Sequence, residues 1–234
     1  MNITAATAKG QRPYQEDTFI NVELPQGRLL GVFDGHGGDE ASKFMAENFA
    51  GLFEETGSLR LAFRLAAQHL KDYEAGTTAS VVLVPTDSHT VFTAVVGDSP
   101  IIIQTKSGIW YGPDHNVRTN EIERVAAQTR GGSYAQGYIY NNFSGQGLQM
   151  GRALGDAWLS PVLSTEPEVA EVTVAPNGFV LIGTDGLFDP GHYGFKTASE
   201  QVIARVSQDD AQALVDRAIG IPTRDNVTAI LVKF

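Results

Sequence analysis

Apolar residues recur along this chain in two rhythms, and the points where one gives way to the other define its elements. A buried-strand run over 29–33 stops at Asp34-Gly35-His36-Gly37-Gly38, the grammar of a strand entering a tight loop. Helical spacing follows: Asp39 is placed to cap, Phe44, Met45, Phe49, Leu52 and Phe53 recur on one face, and Gly57 closes the segment. Ser58 then caps a second helix whose inner stripe is expected at Leu61, Leu65, Ala66, Leu70 and Tyr73. Strand-like runs over 77–84, 90–96 and 101–105 come next, and the short turn clusters between them predict antiparallel neighbours. A helix is expected over 121–129, and the Gly-, Tyr- and Asn-rich stretch over 131–147 reads as a mobile loop or flap. Strands near 169–174 and 179–183, helices around 199–206 and 209–219, and a last strand over 227–232 complete the pattern. Strands come in groups rather than alternating with helices, which predicts an α+β class with packed antiparallel sheets covered by helices.

Composition narrows the class further. At 234 residues and 42% apolar, the chain can bury a sizeable core, and no repeat or linker divides it, so a single domain over 1–234 is expected. A formal charge of -10 repels nucleic acid and anionic lipid, so neither is an expected partner. The absence of Cys excludes disulfides, thiolate metal sites and a cysteine nucleophile. With no basic-then-apolar opening and no run of about eighteen apolar residues, neither export nor a membrane span is expected. The expected compartment is the cytoplasm, and a monomer is the default.

What folding alone does not explain is a set of aspartates where apolar strands end. Asp34 follows Leu-Leu-Gly-Val-Phe, Asp98 follows Ala-Val-Val-Gly, Asp185 follows Leu-Ile-Gly-Thr, and Asp225-Asn226 introduces the last strand. Each alone reads as a turn residue. Together, carboxylates converging at one rim of a core repel each other, lose hydration and require a cation. Oxygen donors without Cys suit hard divalent ions rather than zinc or copper. Walker, EF-hand, GxSxG, HExxH and dinucleotide fingerprints are all missing.

The ordered series Arg12-x-x-x-Glu16-Asp17, Asp34-Gly35-His36-Gly37-Gly38, Gly76-Thr77-Thr78-Ala79, Gly97-Asp98-Ser99, Arg152-Ala153-Leu154-Gly155-Asp156, Asp185-Gly186-Leu187-Phe188-Asp189 and Asp225-Asn226-Val227-Thr228 resembles the metal-dependent type 2C serine/threonine phosphatases. The resemblance spans nearly the whole chain. It implies a β-sandwich of two antiparallel sheets flanked by helix pairs in four α-β-β-α layers, with a flap over about 119–150 beside the active site. It implies two Mn²⁺ or Mg²⁺ ions, with Asp34 bridging them, the Gly35 carbonyl on one, and Asp185 and Asp225 on the other. Asp17 would orient metal-held water, Glu16 would contact it from further out, and Asp114 with Asp185 would take a third, weaker ion. Arg12 matches the phosphate-binding arginine. His36 matches the general acid that protonates the departing seryl or threonyl oxygen after attack by hydroxide bridging the metals. The implied substrates are phosphorylated proteins in signalling. Asp98 and Asp156 read as loop-fixing residues, and His69, His89, His115 and His192 as ordinary surface or core residues. The chain departs from the family pattern at Pro100 and Gly151, neither of which is an expected ligand. A catalytically silent binding module and a phosphatase of small esters are the competing expectations.

Overall fold

The computed structural model describes residues 1–141, 145–188, 195–221 and 225–234, with no side chains described over 195–198. Phe143 of the expected flap, Asp189 and His192 therefore lie outside the described residues.

Alternation along the strands sorts the apolar side chains into layers. In strand Gly27–Phe33, Leu30 and Val32 face one way and Leu29 and Phe33 the other, all buried. This double burial is what a strand in the middle of a layered core requires. Two five-stranded antiparallel sheets form among the described residues. One orders strands Glu168–Thr173, Thr90–Val96, Ala79–Pro85, Gly27–Phe33 and Thr18–Leu24 side by side. The other orders Asn2–Ala8, Val227–Lys233, Phe179–Gly183, Ile101–Thr105 and Gly108–Tyr111. Leu30, Val32, Val82 and Val95 from the first meet Ile101, Ile103, Val180 and Ile230 from the second between the sheets.

Helices cover both outer faces. Helices α1 (Glu40–Thr56) and α2 (Leu59–Leu70) bury Met45, Phe49, Ala62 and Phe63 on Leu29 and Phe33. Helix α3 (Glu121–Thr129) matches the expected span and stands apart beside the flap. On the far face α4 (Asp185–Phe188), α5 (Phe195–Ile203) and α6 (Ala211–Gly220) cover the second sheet, where Leu187, Phe188, Leu214 and Val215 pack on Ile102, Leu181 and Leu231. The expected α+β sandwich with helices outside is the architecture observed.

Local details differ from the expectations for identifiable reasons. Ser58 caps α2 through its side chain and Gly57 closes α1 in the left-handed region, as expected. Asp39 does not cap α1: its backbone, at φ -99 and ψ 1, lacks the extended geometry a cap needs, and its carboxylate takes Lys43 Nζ at 2.6 Å instead. The inner stripe of α2 is Leu59, Ala62, Phe63, Ala66 and Leu70, with Leu61 45% exposed, because the buried face is chosen by the α1 and sheet residues it packs on rather than by the cap. Strands Asn2–Ala8, Thr18–Leu24 and Gly108–Tyr111 lack a strong apolar rhythm because they lie at or next to sheet edges. The flap stretch is not simply a loop: strands Ser133–Ala135, Tyr138–Tyr140 and Gly147–Leu148 form a small antiparallel sheet.

Phe49 anchors the α1 side, its ring centroid 5.0 Å from Phe63 and 6.3 Å from Phe33. Replacing it by Ala empties the middle of that cluster, and urea unfolding should register a loss of about 3–5 kcal/mol. An unchanged midpoint would mean that the layer is not packed as described.

Candidate active site

Antiparallel register brings distant acidic residues to one rim. Thr18 pairs with Phe33, so Asp17 and Asp34 flank neighbouring strand ends. Gly183 pairs with Ala229, placing Asp185 and Asp225 at adjacent ends in the other sheet. Gly183 N donates to Pro100 O at 3.1 Å, which brings the Asp98 loop alongside. The result is a cavity of about 710 Å³ whose walls include Arg12, Asp34, His36, Asp98, Asp185 and Asp225, together with Gly35 and Asp114.

The carboxylates pay electrostatically for this arrangement. Burial, reinforced by Asp17, Asp185, Asp225 and Asp98, holds the Asp34 carboxyl well above the usual range. Burial, with Asp98, Asp225 and Asp17, does the same to Asp185, although its side chain is open to water from the cavity. No hydrogen bond from a described residue reaches either carboxylate. Asp17 is pushed up to about 7 by burial, against the hydroxyls of Thr228 and Thr184, which donate to Oδ2 at 2.7 and 2.9 Å. Asp98 is pushed up to about 6 by burial and then by Asp114, and Asn116 Nδ2 donates to it at 2.8 Å. Arg12 answers part of this charge, its Nη2 lying 2.9 Å from Asp225 Oδ1.

The donor set fits hard divalent cations: four carboxylates face one another, three of them destabilised as anions, and no sulfur is present. A second acidic group, His115, Glu123 and Glu168, has ligand atoms all within 4.8 Å of one another. There a guanidinium already supplies positive charge, with Arg152 Nη2 2.5 Å from Glu123 and 3.4 Å from Glu168. His115 is buried, its Nδ1 accepting from Gly97 N at 3.1 Å, and burial lowers its ring pKa. Elsewhere, the His69 and His89 rings lie against Phe44 and Phe234.

Several of the expected site residues have partners that the sequence does not show. The Glu16 carboxylate does not line the cavity; Oε1 accepts from Gly38 N at 2.8 Å and braces the glycine loop. Both Asp114 oxygens are engaged in their own loop, Oδ1 by Asn116 N and Oδ2 by Thr119 Oγ1, each at 2.9 Å. Asp98 stands in the cavity wall rather than merely fixing a loop. Asp156, 1% exposed, directs both carboxylate oxygens at His36 Nε2, at 3.0 and 2.9 Å. Gly76 makes room for that pair, since a Cβ there would overlap both partners. Asn226 has a structural task that its motif does not announce. Its amide accepts from Glu16 N at 2.8 Å and donates to Lys9 O and Tyr14 O, tying down the loop that carries Arg12. Its position beside Asp225 at a strand start was the available signal.

These shifts fix a sign for pH dependence. A carboxyl raised in the folded state stabilises the metal-free fold below its unfolded pKa and loses that contribution as pH rises through the folded value, about 7 for Asp17. Metal-free protein should therefore lose stability as pH rises from about 4 to about 7, by about 1 kcal/mol per pH unit from Asp17, and level off above that. Stabilisation by added Mn²⁺ should grow over the same interval. Asp34→Asn should raise the metal-free melting temperature and abolish the Mn²⁺ effect, as calorimetry would show. A metal-free fold indifferent to both pH and this substitution would contradict the proposed crowding.

The protein phosphatase 2C family model matches residues 16–227. Probable protein phosphatase 2C 59 of Oryza sativa subsp. japonica is 28% identical over 254 residues, covering 98% of this chain and 74% of that protein. The Arabidopsis thaliana protein of the same name is 26% identical over 254 residues, with 98% and 78% covered. Among solved structures, a serine-threonine phosphatase 2C from Toxoplasma gondii superposes with a TM-score of 0.76 at 24% identity, covering 99% of this chain and 94% of that one. A C. elegans sex determining protein gives a TM-score of 0.82 at 24% identity, with 99% and 64% covered. At these identities the structural likenesses establish the fold. Taken with the match across nearly all of its length, they mean that this chain belongs to the protein phosphatase 2C family and is a protein serine/threonine phosphatase.

Proposed function

We propose that this chain is a single catalytic unit, acting as a monomer, that removes phosphate from phosphoserine and phosphothreonine with Mn²⁺ or Mg²⁺. The observation that carries the reading is the meeting of Asp34, Asp185 and Asp225, from separate strand ends, in the wall of a cavity that also holds Arg12 and His36, with buried Asp17 near enough to raise the Asp34 and Asp185 carboxyls. Asp34 with the Gly35 carbonyl, Asp185 and Asp225 would hold two ions, with Asp17 beside them, and a third, weaker ion at Asp114 with Asp185 would have to share oxygens that already accept from Asn116 N and Thr119 Oγ1. Bound there, divalent cations would offset the phosphoryl dianion and make water acidic enough to yield a nucleophile near neutral pH.

The chain's own side chains do the rest. Arg12, seated against Asp225, presents a planar fork that can donate to two phosphoryl oxygens at once. The departing alkoxide needs a proton as the phosphorus–oxygen bond breaks. His36 is the donor at hand. Asp156 occupies Nε2 and fixes the ring, so Nδ1 is the nitrogen left to release a proton to the seryl or threonyl oxygen. Gly38 N on Glu16 and Thr78 N on the Asp34 carbonyl, at 2.8 and 2.9 Å, hold the His36 loop rigid. No helix among the described residues is long and apolar enough to cross a membrane.

Hydrolysis of p-nitrophenyl phosphate and of a phosphothreonine peptide, with and without Mn²⁺, tests this. Asp185→Ala should drop both activities to background. His36→Ala should cost the peptide reaction about a hundredfold or more and the nitrophenyl ester far less, because nitrophenolate leaves without a proton. Equal losses on both substrates would remove His36 as the acid. A wild type silent on both would support a binding module instead, and one active only on the ester would support small substrates.

A further inference from the structure

A phosphoryl group fills only a corner of a cavity of about 710 Å³, a volume that elsewhere accommodates drug-sized ligands. There is room for the residues beside the phosphorylated one, and the wall available to them is chemically unlike the carboxylate rim. It is built from Arg118, on the loop before α3, and from Tyr138 and Gln149, on and just after the flap sheet.

The three side chains form a relay with one polarity. Arg118 has no acceptor, so its Nη1 donates to Gln149 Oε1 at 3.2 Å, and this fixes which way the amide is turned. Gln149 Nε2 in turn donates to the Tyr138 hydroxyl at 2.9 Å. With its oxygen accepting there, the phenol can point its own hydrogen outward. The relay therefore ends in donors at both ends, the remaining guanidinium N–H groups and the Tyr138 O–H. The arginine is also held in place. Gly137, at φ +89, lies so close to it that a Cβ there would approach Arg118 Cγ to 2.8 Å, and Arg118 N donates to Asn116 Oδ1 at 3.0 Å. Among the described residues no carboxylate oxygen lies within 4.0 Å of its guanidinium. In a chain of charge -10, and in the wall of the same cavity as Asp34, Asp98, Asp114 and Asp185, an exposed guanidinium whose side-chain bond is to a neutral amide is set up for an anion from outside.

We infer that Arg118, Gln149 and Tyr138 form a subsite for an oxyanion carried beside the phosphorylated residue, so that phosphopeptides with an acidic flank are the preferred substrates. The inference rests on the phosphopeptide reading above and adds to it what the enzyme selects. The oxyanion can come from Asp or Glu side chains or from a second phosphate; a carboxylate matches the planar fork through two parallel hydrogen bonds.

The test uses matched phosphothreonine peptides carrying Glu, Gln or a second phosphothreonine at the flanking positions, with kcat/KM measured in saturating Mn²⁺. Wild type should favour the Glu peptide over the Gln peptide by about tenfold, mainly through KM, and added salt should compress the ratio. Arg118→Gln should bring the ratio to within about twofold, and Arg118→Lys, which keeps the charge but not the fork, should retain part of it. Tyr138→Phe, a milder change should Arg118→Gln fail to fold, should lower the ratio as well. A second phosphate that outperforms Glu would identify phosphate as the natural oxyanion, and one that does not would identify the carboxylate. Equal kcat/KM for the Glu and Gln peptides in wild type, or a preference that survives Arg118→Gln, would overturn the inference while leaving the activity intact. A wild type that turns over no phosphopeptide would instead take away the reading beneath it.

Discussion

Four carboxylates that folding forces together govern this structure. Antiparallel register sets Asp17 beside Asp34 in one sheet and Asp185 beside Asp225 in the other, and packing of the two sheets brings both pairs to one rim. Their mutual repulsion and lost hydration oppose folding, and the hydrophobic layers must overcome that cost in the absence of a cation. The core is arranged to bear it. Strands Gly27–Phe33 and Phe179–Gly183, buried on both faces, run directly into the loops of Asp34 and Asp185, so these two carboxylates hang from rigid ends.

Support around the rim is as specific as the carboxylates. Thr184 and Thr228 brace Asp17, Thr78 links the Asp34 loop to Ser99, and Asn226 ties the Arg12 loop to the last strand. Asp156 and Gly76 act together on His36, the first by hydrogen bonding and the second by leaving space. The acidic and basic parts are also kept separate. Arg152 balances Glu123 and Glu168 away from the rim, while Arg12 is placed at the rim beside Asp225.

Much of this was legible in the amino-acid sequence because the relevant signals are local. An apolar run ending in Asp-Gly announces both a buried strand and a carboxylate at its end, as at Asp34 and Asp185. Hidden from sequence was whatever depends on partners distant along the chain. Asp156 and His36 are separated by 120 positions, and nothing near either one announces the pair. Glu16 and Asp17 are adjacent and both acidic, yet alternation sends one to brace the glycine loop and the other into the buried threonine nest. The edge strand Asn2–Ala8 leaves no mark in the apolar pattern because its Thr and Ala residues carry little contrast, and its place is set by pairing with Val227–Lys233. The buried face of α2 is likewise set by what it packs on, since its start at Ser58 is plain in the sequence while its stripe is not.

The account stands on these carboxylates acting as one cation-binding unit. Anomalous diffraction from crystals grown with Mn²⁺ addresses that directly. Manganese peaks at coordination distance from oxygens of Asp34, Asp185 and Asp225 are the expected result. Peaks confined to the His115, Glu123 and Glu168 group, or no peak between the three aspartates at saturating Mn²⁺, would contradict it.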